Sequence, residues 1–402
     1  MESILSELME PPTLAIDPYA TDVVADPYPF HKALRDAGPI VRIEKYGVYA
    51  VGGHEEVRQI LLDHQRFSSA GGVGIQDIRK PGRFRIPSRL VDADPPDHTV
   101  VRTAMSKILT PILIRSWREM FEQEAAKRVE KILDMREIDG IEDLAEAFVL
   151  TVFPKAVGVV LPRKEVLAIG EMRFNQSGPE NELYHRAMAK AEPYLEWFDA
   201  SCERSGVLPG SIGDLIYQAE DRGEIEVGTA NSLLRTFVGG GTDSTISGIG
   251  SALNQLSSHQ DQWVILQAEP ARARTALDEA IRFESPFQVI YRTTNRETDF
   301  NGYRIADHAK VGLWLGASNR DPRKWPNADR FDLTRQTAGI HVAFGSGEHI
   351  CIGQMLARLE SECLLVALTK RVKSITRTGE PVYRLMNQMR AIDRLPLRVT
   401  PL

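Results

Sequence analysis

The sequence predicts a mainly α-helical protein with a small β portion. Amphipathic helical patterns dominate the chain from Asp97 to about Ser258. Short alternating runs typical of strands occur near residues 40–51 and 288–314. A cysteine, Cys351, follows a glycine-punctuated turn and directly precedes a further long helical pattern. These three observations predict packed helices with a reactive thiol at one helix N-terminus.

Length and composition bound the architecture. The 402 residues exceed the usual single-core size, but the 43% hydrophobic content is spread throughout and can bury one large interior. We expect a single domain over residues 1–402. Its β-rich part would comprise about 40–52, 288–314 and the C-terminal strands, and its α-rich part about 97–285 and 352–371.

Charge and cysteine usage restrict the partners and the compartment. A net charge of −6 argues against nucleic acid or an anionic membrane surface as the main partner. Cys202, Cys351 and Cys363 show no disulfide-framework spacing, and Met1 to Tyr19 lacks a signal-peptide pattern. We therefore expect a cytoplasmic protein with no nucleic-acid or membrane partner.

The patterns assign the elements in order. The chain begins with a helix at 27–37, a hairpin at 40–51 and a short helix at 54–64. Residues 66–96 lack periodicity, which is typical of a binding loop or a disordered segment. Helices follow near 97–108, 112–134, 140–157, 163–176, 179–205, 209–221, 227–259 and 270–285. The last part contains strands near 288–294, 302–306 and 310–314, an irregular stretch at 317–340, the cysteine turn, a helix and a C-terminal strand pair.

The loop before Cys351 has the chemistry of a metal or cofactor site. Gly345, Gly347 and Gly353 lack a Cβ, so the backbone can turn tightly and lie close to a flat group. The N–H groups of the following helix stabilise a thiolate, and a metal cation would hold it deprotonated. Two other interpretations are a small buried thiol and a zinc site, although no CxxC or HxxxH pair supplies a fourth zinc ligand.

The helix near 227–259 contains Gly239, Gly240 and Gly241 in succession. Each glycine costs a helix interior about 0.8–1 kcal/mol relative to alanine. Close helix packing is one explanation. The other is a groove, because the Ser244 hydroxyl can donate to the Gly240 carbonyl one turn earlier and open the helix. Asp243 beside it would make an acid and alcohol pair suited to delivering protons.

The pattern F-x-x-G-x-H-x-C-x-G over residues 344–353 resembles the haem-thiolate signature of the cytochromes P450. The resemblance runs from about Asp26 to the C-terminus. It implies the cytochrome P450 fold, with haem between the long oxygen-binding helix and the cysteine-bearing helix. It also implies haem b as the cofactor, the Cys351 thiolate as its axial ligand, and Phe344 and Gly353 as cofactor-binding residues.

The same resemblance implies roles for other polar residues. Four basic side chains match the family's partners of the haem propionates: His98, Arg102, Arg292 and His349. A buried carboxylate needs such partners, although each of the four taken singly is typical of a surface residue.

Two further pairs match family positions. Asp243 and Ser244 match the acid and alcohol of the oxygen-binding helix, with serine where the family usually has threonine. Glu279 and Arg282 match a buried structural pair, which an arginine from the irregular stretch at 317–340 joins; here it is predicted to be Arg330. A surface ion pair is the alternative for Glu279 and Arg282.

Several segments resemble the bacterial subfamily that oxidises para-substituted benzoic acids. That resemblance implies substrate-binding roles for Arg85, Ser88, Phe174, Thr236, Gly240, Phe287 and Ile290. Arg85 and Ser88 would hold the carboxylate, whereas the alternative for Arg85 is a solvated loop charge. The chain departs from the subfamily at Gly239, where a hydroxyl is usual, and at Ser177, where an aromatic ring is usual.

The resemblance implies a monooxygenase that uses O2 and two electrons to oxidise a small aromatic substrate. O-demethylation or hydroxylation of a para-substituted benzoic acid such as 4-methoxybenzoate is the expected reaction. No flavin or nicotinamide fingerprint occurs, so an iron–sulfur ferredoxin and its reductase are the expected donors, docking near Lys107 and Arg358. Alternatives are O-demethylation of neutral methoxyphenols of guaiacol or syringol type, a peroxide-driven peroxygenase, and a haem-based sensor or carrier.

Overall fold

The computed structural model describes residues 8–81 and 87–402, and most of its ordered structure is helical. The N-terminal part contains β1 (Thr13–Leu14), α1 (Thr21–Ala25), α2 (Tyr28–Asp36), β2 (Val41–Ile43), β3 (Val48–Val51), α3 (His54–Leu61) and β4 (Phe67–Ser68). These elements confirm the predicted hairpin and its two flanking helices.

The central part is helical apart from one short strand. Its elements are α4 (Asp97–Ile108), α5 (Pro111–Ser116), α6 (Arg118–Met135), β5 (Glu137–Asp139), a π-helical segment (Gly140–Glu146), α7 (Ala147–Val157), α8 (Arg163–Asn175), α9 (Glu182–Ala191), α10 (Leu195–Ser201), α11 (Ile212–Asp221), α12 (Thr229–Ser258), α13 (Gln260–Ala268) and α14 (Ala273–Glu284).

The C-terminal part supplies most of the strands. It contains β6 (Val289–Thr294), β7 (Thr298–Phe300), β8 (Tyr303–Ile305), β9 (Lys310–Trp314), α15 (Leu315–Ser318), α16 (Gln354–Thr369), β10 (Val372–Arg377), β11 (Val382–Leu385), β12 (Arg390–Arg394) and β13 (Pro396–Pro401). The protein is therefore mainly α with a small β portion, as predicted.

The main sheet joins the strands of the N-terminal part to β6 and β9. Its strand order is β1-β2-β3-β9-β6-β4, with β3 and β9 parallel and β6 and β9 antiparallel. Strands β10, β13 and β5 form a second sheet, and β11 pairs with β12 in a separate hairpin. The hairpin turn at 386–389 reaches the segment before β6, since the Gln288 N–H donates to the Gln388 carbonyl over 2.9 Å.

Helix α12 runs through the middle of the helical part. It covers 30 residues, and most of them are buried on every side of the helix. A helix that is buried all round must be covered by other elements, and α7, α8, α11, α14 and α16 pack against it. The cysteine-bearing helix α16 thus belongs to the same packed unit as the glycine-containing helix α12.

The element boundaries differ from the prediction where a helix ends at a residue other than glycine. The helix predicted at 179–205 is divided into α9 and α10 by a turn over Glu192–Tyr194, because Pro193 cannot continue an α-helical hydrogen-bond ladder. Helix α13 was not predicted, and it is separated from α12 only by His259, whose backbone is non-helical. The C-terminal region contains four strands rather than two.

None of the helices within the described ranges combines the length and the apolar character needed to cross a bilayer.

Candidate active site

The loop that carries Cys351 is a tight turn held by backbone hydrogen bonds. The Cys351 N–H donates to the Phe344 carbonyl over 2.8 Å. Gly345 and Gly347 adopt left-handed φ angles of 73° and 70°, which glycine takes without steric cost. The turn ends at Gly353, and α16 begins at the next residue. The sulfur is therefore placed at a helix N-terminus, as the sequence predicts.

Opposing influences act on the Cys351 thiol. Burial raises its pKa, whereas the N–H groups of Gly353 and Gln354 and the guanidinium groups of Arg102 and Arg358 lower it. Burial is the larger influence, so the pKa of the thiol is raised overall. The donors and cations beside the sulfur would stabilise the thiolate once a metal cation ligates it.

Gly353 keeps the backbone beside the sulfur free of a side chain. A Cβ at this position would lie 4.0 Å from Cys351 Sγ and 3.9 Å from the ring atom Cε2 of Phe237 on α12. The start of α16 is therefore close to α12. Glycine leaves the room that a flat cofactor between these two helices would use.

His98 on α4 and His349 in the cysteine loop lie side by side, with ring centroids 4.0 Å apart. The Nε2 atom of each ring is buried and has no hydrogen-bond partner in the part of the chain that the structure describes. Burial lowers the pKa of both rings, that of His349 to about 3. Two neutral imidazoles with unused nitrogen atoms indicate a polar group that would occupy the space beside them.

Two arginines complete this cluster. Arg292 on β6 is only 3% exposed, and its guanidinium donates to the neighbouring Tyr291 carbonyl over 3.0 Å. Burial lowers its pKa to about 10. Arg102 donates to the Ile350 carbonyl over 2.7 Å, at the edge of the cysteine loop. Buried cations require an anionic partner, and the two propionates of a haem fit this set of donors.

On α12, the Ser244 hydroxyl donates to the Gly240 carbonyl over 2.6 Å, which confirms the predicted contact. The helix nevertheless continues through this turn without a break. Gly240 is exposed although most of α12 is buried, and a Cβ there would meet no atom of the described residues within 4 Å outside its own helix backbone. The surface of the helix at Gly240 therefore borders open space.

The other two glycines of the run are packing positions. A Cβ at Gly241 would lie 2.6 Å from the ring of Phe153 on α7. A Cβ at Gly239 would lie 2.5 Å from the side chain of Arg173 on α8. Both explanations of the glycine run, close packing and an open groove, thus hold at different residues.

Asp243 points to a different neighbour from Ser244. Its carboxyl group is 2% exposed and occupies the space left by Gly170 on α8, where a Cβ would lie 1.4 Å from Oδ2. Arg384 on β11 lies 3.5 Å from Oδ1. Burial raises the pKa of Asp243 to about 6, although Arg384 opposes this shift. The carboxyl can therefore change protonation state near neutral pH.

The loop that contains Ser88 contacts α12 through two hydroxyl groups. The Thr236 hydroxyl lies 3.0 Å from Ser88 Oγ, and Ser88 is buried. The Leu90 N–H also donates to Ser88 Oγ, over 3.3 Å. The structure thus brings Ser88 and Thr236 together, whereas Arg85 lies outside the described residues.

An aromatic and apolar wall lies between α8 and the segment before β6. The rings of Phe174 and Phe287 meet edge to face with centroids 5.7 Å apart. Met386 and Met389 of the β11–β12 turn pack against Phe174 in the same cluster. Ile290 on β6 is half-buried and, like Phe287, adjoins a neighbouring apolar cluster.

The structural pair on α14 is buried, but its third member differs from the prediction. Glu279 and Arg282 are fully buried and form a bidentate contact at 2.7 and 2.8 Å. The arginine that joins them is Arg335, whose Nε lies 3.3 Å from Glu279. The prediction of Arg330 is wrong, because Arg330 is exposed and contributes only its backbone carbonyl, which accepts from Arg282.

Arg358 is not a docking residue on the surface, so that prediction is also wrong. It is 9% exposed, and its Nε donates to Asp278 over 2.9 Å. Its guanidinium lies 4.6 Å from the centre of the Phe344 ring in the cysteine loop. Lys107, by contrast, is exposed on α4, 3.3 Å from Glu224.

Four residues near the site were not predicted: Arg173, Arg384, Met386 and Met389. They come from α8 and from the C-terminal hairpin, far from the signature motif in the chain. The methionines of the short turn 386–389 could have been suspected, because apolar side chains in a turn often cover another surface. No spacing in the sequence links either arginine to α12.

Comparison with known proteins decides the family. A family model described as Cytochrome P450 matches residues 212–392. The protein cytochrome p450 CYP199A2 of Rhodopseudomonas palustris is 41% identical over 392 residues, which cover 97% of this chain and 95% of that protein. The chain belongs to the cytochrome P450 family. This P450 is therefore a haem-thiolate monooxygenase that requires O2 and an electron donor, with the Cys351 thiolate as axial ligand.

More distant relatives agree with this assignment. The 6-deoxyerythronolide B hydroxylase of Saccharopolyspora erythraea is 27% identical over 399 residues, which cover 93% of the P450 and 96% of the hydroxylase. The solved structure of cytochrome P450 CYP109Q5 from Chondromyces apiculatus matches with a TM-score of 0.79 at 25% identity. That match covers 96% of this chain and 99% of the solved chain.

Proposed function

We propose that this cytochrome P450 oxidises small para-substituted aromatic acids at the position opposite the carboxylate. The observation that carries the proposal is the contact between Ser88 and Thr236, which places two hydroxyl groups beside α12. The rings of Phe174 and Phe287 supply an apolar wall nearby. An aryl carboxylate that enters an apolar pocket needs polar partners at one end, and this arrangement offers them.

The reaction proposed for 4-methoxybenzoate is O-demethylation. One O2, two electrons and two protons give 4-hydroxybenzoate, formaldehyde and water. Haem with its thiolate ligand supplies O2 binding and favours O–O cleavage. The residues of this chain hold the substrate, exclude water and deliver the two protons.

Asp243 and Ser244 are the proposed proton-delivery pair. Asp243 can take up a proton near neutral pH because burial raises its pKa to about 6. Arg384 connects it to the surface, since its Nε lies 3.8 Å from the exposed carboxylate of Asp393. The Ser244 hydroxyl, held by the Gly240 carbonyl, borders the open side of α12 and would pass the proton on. Asp243 must turn away from Gly170 to reach it.

The cofactor contacts follow from the cluster beside the cysteine loop. The haem propionates would be held by His98, Arg102, Arg292 and His349, which together offer two guanidinium groups and two ring nitrogens without a partner among the described residues. Phe344 and Gly353 would lie against the haem near Cys351. Gly240 would leave room on the opposite side for O2 and the substrate.

An iron–sulfur ferredoxin with its reductase is the proposed electron donor. The sequence contains no flavin or nicotinamide fingerprint of its own, so electrons must come from another protein. Lys107 is an exposed cation on α4, the helix that also carries the proposed haem contacts His98 and Arg102. A cytoplasmic location is proposed because Cys202 and Cys363 are free, buried thiols.

A second candidate is O-demethylation of neutral methoxyphenols. Two observations favour it: Gly239 lacks the hydroxyl, and Ser177 lacks the aromatic ring, that the aromatic-acid subfamily tends to have. Such a pocket would bind a substrate without a carboxylate.

Spectral titration of the haem-loaded ferric protein distinguishes the two candidates. The Soret band is followed while 4-methoxybenzoate, its methyl ester or 2-methoxyphenol is added. The acid should bind about tenfold or more tightly than the ester, because a charge-assisted contact contributes roughly 1.5–3 kcal/mol. Tighter binding of 2-methoxyphenol than of the acid would reject the proposal and favour the phenol.

A further inference from the structure

A buried ion pair joins α16, the helix that follows Cys351, to α14. Arg358 on α16 donates from Nε to Asp278 Oδ1 on α14 over 2.9 Å. Only 9% of Arg358 and 7% of Asp278 is exposed. A buried ion pair is weak evidence for stability, because the cost of taking both charges out of water can exceed their mutual attraction. The two charges can therefore serve another purpose.

The Arg358 side chain reaches back along α16 toward the ligand sulfur. Its Nη1 donates to Gln354 Oε1, one turn earlier, over 2.6 Å. The backbone N–H of Gln354 is in turn one of the donors to the Cys351 sulfur. The guanidinium also lies 4.6 Å from the centre of the Phe344 ring, and the Phe344 carbonyl accepts from the Cys351 N–H over 2.8 Å. The cation thus contacts residues before and after Cys351 that hold the cysteine in place.

Asp278 supplies a negative charge beside this guanidinium. Burial alone would raise the pKa of Asp278, but the hydrogen bond with His341 and the charge of Arg358 bring that pKa below its ordinary value. His341 Nδ1 accepts from the Ala343 N–H over 3.1 Å, so the ring proton lies on Nε2, 3.5 Å from Asp278 Oδ1. With the carboxylate held there, the field that the pair exerts at Cys351 is weaker than the field of the cation alone.

We propose that Asp278 is a positioning residue that sets the reduction potential of the haem by neutralising Arg358 beside the ligand thiolate. An uncompensated Arg358 would attract electron density on the Cys351 sulfur and favour the ferrous state, since reduction adds one negative charge. Asp278 offsets that attraction and leaves the thiolate free to donate to the iron. Groups that surround a ligand are known to tune a metal centre in this way. The role concerns the haem ligand and is independent of which substrate is bound.

The reduction potential of Asp278→Asn tests this role. It is measured by anaerobic spectral titration of the substrate-free, haem-loaded protein. The variant keeps the size of the side chain but leaves the cation unpaired, so the ferrous state should be favoured about three- to tenfold more than in the wild type. A tenfold change corresponds to about 59 mV for one electron. Asp278→Glu keeps the carboxylate and should stay close to the wild-type potential.

A matched control removes the same charge from an exposed position. Asp307 lies in the exposed turn between β8 and β9. Because water and salt screen an exposed charge, Asp307→Asn should leave the reduction potential unchanged.

The opposite change of charge should move the potential the other way. Arg358→Gln removes the cation, so the ferric state should be favoured. The double variant Asp278→Asn/Arg358→Gln removes both charges, and its potential should return most of the way to the wild-type value. Two charges that act at one place compensate in this manner, whereas a loosened cysteine loop does not regain its structure when a second contact is removed.

Two results would overturn the proposal. One is a potential of Asp278→Asn equal to that of the wild type, and the other is a shift in the same direction in both single variants. The thiolate Soret band of the reduced CO complex checks that each variant retains its ligand. Should Asp278→Asn fail to bind haem, Arg358→Gln decides the question: a lower potential supports the proposal, and an unchanged or higher one rejects it.

Discussion

At the residue scale, Asp243 acquires its chemistry from burial and from two neighbouring residues. Gly170 leaves the space for its carboxyl, burial makes its ionisation costly, and Arg384 lies 3.5 Å from one oxygen. The side chain is thereby held ready to exchange a proton close to neutral pH. The sequence predicted the acid beside an alcohol, because the two residues are adjacent in the chain. Gly170 and Arg384 could not be predicted, because they meet Asp243 only through tertiary packing.

Asp243→Asn should slow product formation by about 10²- to 10⁴-fold, because a positioned proton donor typically contributes this much. The rate is measured with ferredoxin, reductase and a para-substituted acid in excess. Substrate binding should be unchanged, since Asp243 points toward Gly170 and not toward Gly240. A variant that turned over at the wild-type rate would show that protons reach the site by another route.

The raised pKa of Asp243 also makes stability depend on pH. Its pKa is about 6 in the folded protein, against 3.8 for an ordinary aspartate. The protonated group therefore contributes stability that is present at low pH and is lost as the pH rises through 6. Between pH 5 and pH 8 the wild-type protein should lose roughly 1–2 kcal/mol relative to Asp243→Asn. As the pH rises over this range, the melting temperature of the wild-type protein should fall relative to that of Asp243→Asn. An equal pH dependence of the two melting temperatures would contradict the raised pKa of Asp243.

Ser244 should affect coupling more than binding. Ser244→Ala removes the hydroxyl that contacts the Gly240 carbonyl, so more of the reducing equivalents should end in hydrogen peroxide. Ser244→Thr keeps the hydroxyl and adds a stiffening methyl group, so product per electron pair should rise or stay the same. The ratio of product formed to reductant consumed measures this. A ratio in Ser244→Ala equal to that of the wild type would exclude the hydroxyl from proton delivery.

At the element scale, the irregular stretch at 317–340 and α14 show where sequence reasoning succeeds and fails. Three-residue spacing places Glu279 and Arg282 on one helical face, and the family resemblance predicted that the pair is buried. The third member was misassigned because residues 317–340 have no period from which a direction could be read. In the structure Arg335 reaches Glu279, and its Nη1 also donates to the Pro326 carbonyl over 2.9 Å.

Arg335→Ala should lower the free energy of unfolding by about 1–3 kcal/mol, because it leaves a buried acceptor less well satisfied. The exposed Arg330 provides the matched control, and Arg330→Ala should change stability by no more than about 0.5 kcal/mol. Melting temperature with haem bound is the measurement. A larger loss of stability in Arg330→Ala than in Arg335→Ala would support the original assignment of Arg330.

Elements were predicted correctly where the residues at their ends mark the boundary, and were missed where a distant partner forms them. Helix α4 was predicted at 97–108 and occurs at Asp97–Ile108, because proline and aspartate mark its start. Strand β5 was missed, since its three residues gain their partner β13 from the far end of the chain. Short strands of this kind depend on pairing partners that a local pattern does not reveal.

At the scale of the whole molecule, helical periodicity predicted the fold class, and the resemblance of one local motif to a known family predicted the ligand cysteine. The glycines, the histidine and Cys351 of that motif lie within residues 344–353, so the resemblance can be recognised from the sequence. The substrate end of the site is different. Ser88 and Thr236 come from separate segments, and only the fold places their hydroxyl groups in contact.

The central claim is that this cytochrome P450 oxidises para-substituted aromatic acids, and product analysis with matched substrates tests it most directly. The haem-loaded protein is supplied with ferredoxin, reductase and O2, and with 4-methoxybenzoate, 3-methoxybenzoate or 2-methoxyphenol. We expect 4-methoxybenzoate to give equal amounts of 4-hydroxybenzoate and formaldehyde, at least about tenfold faster than the meta isomer reacts, because an anchored carboxylate fixes which carbon meets the iron. Faster demethylation of 2-methoxyphenol than of either acid would contradict the claim.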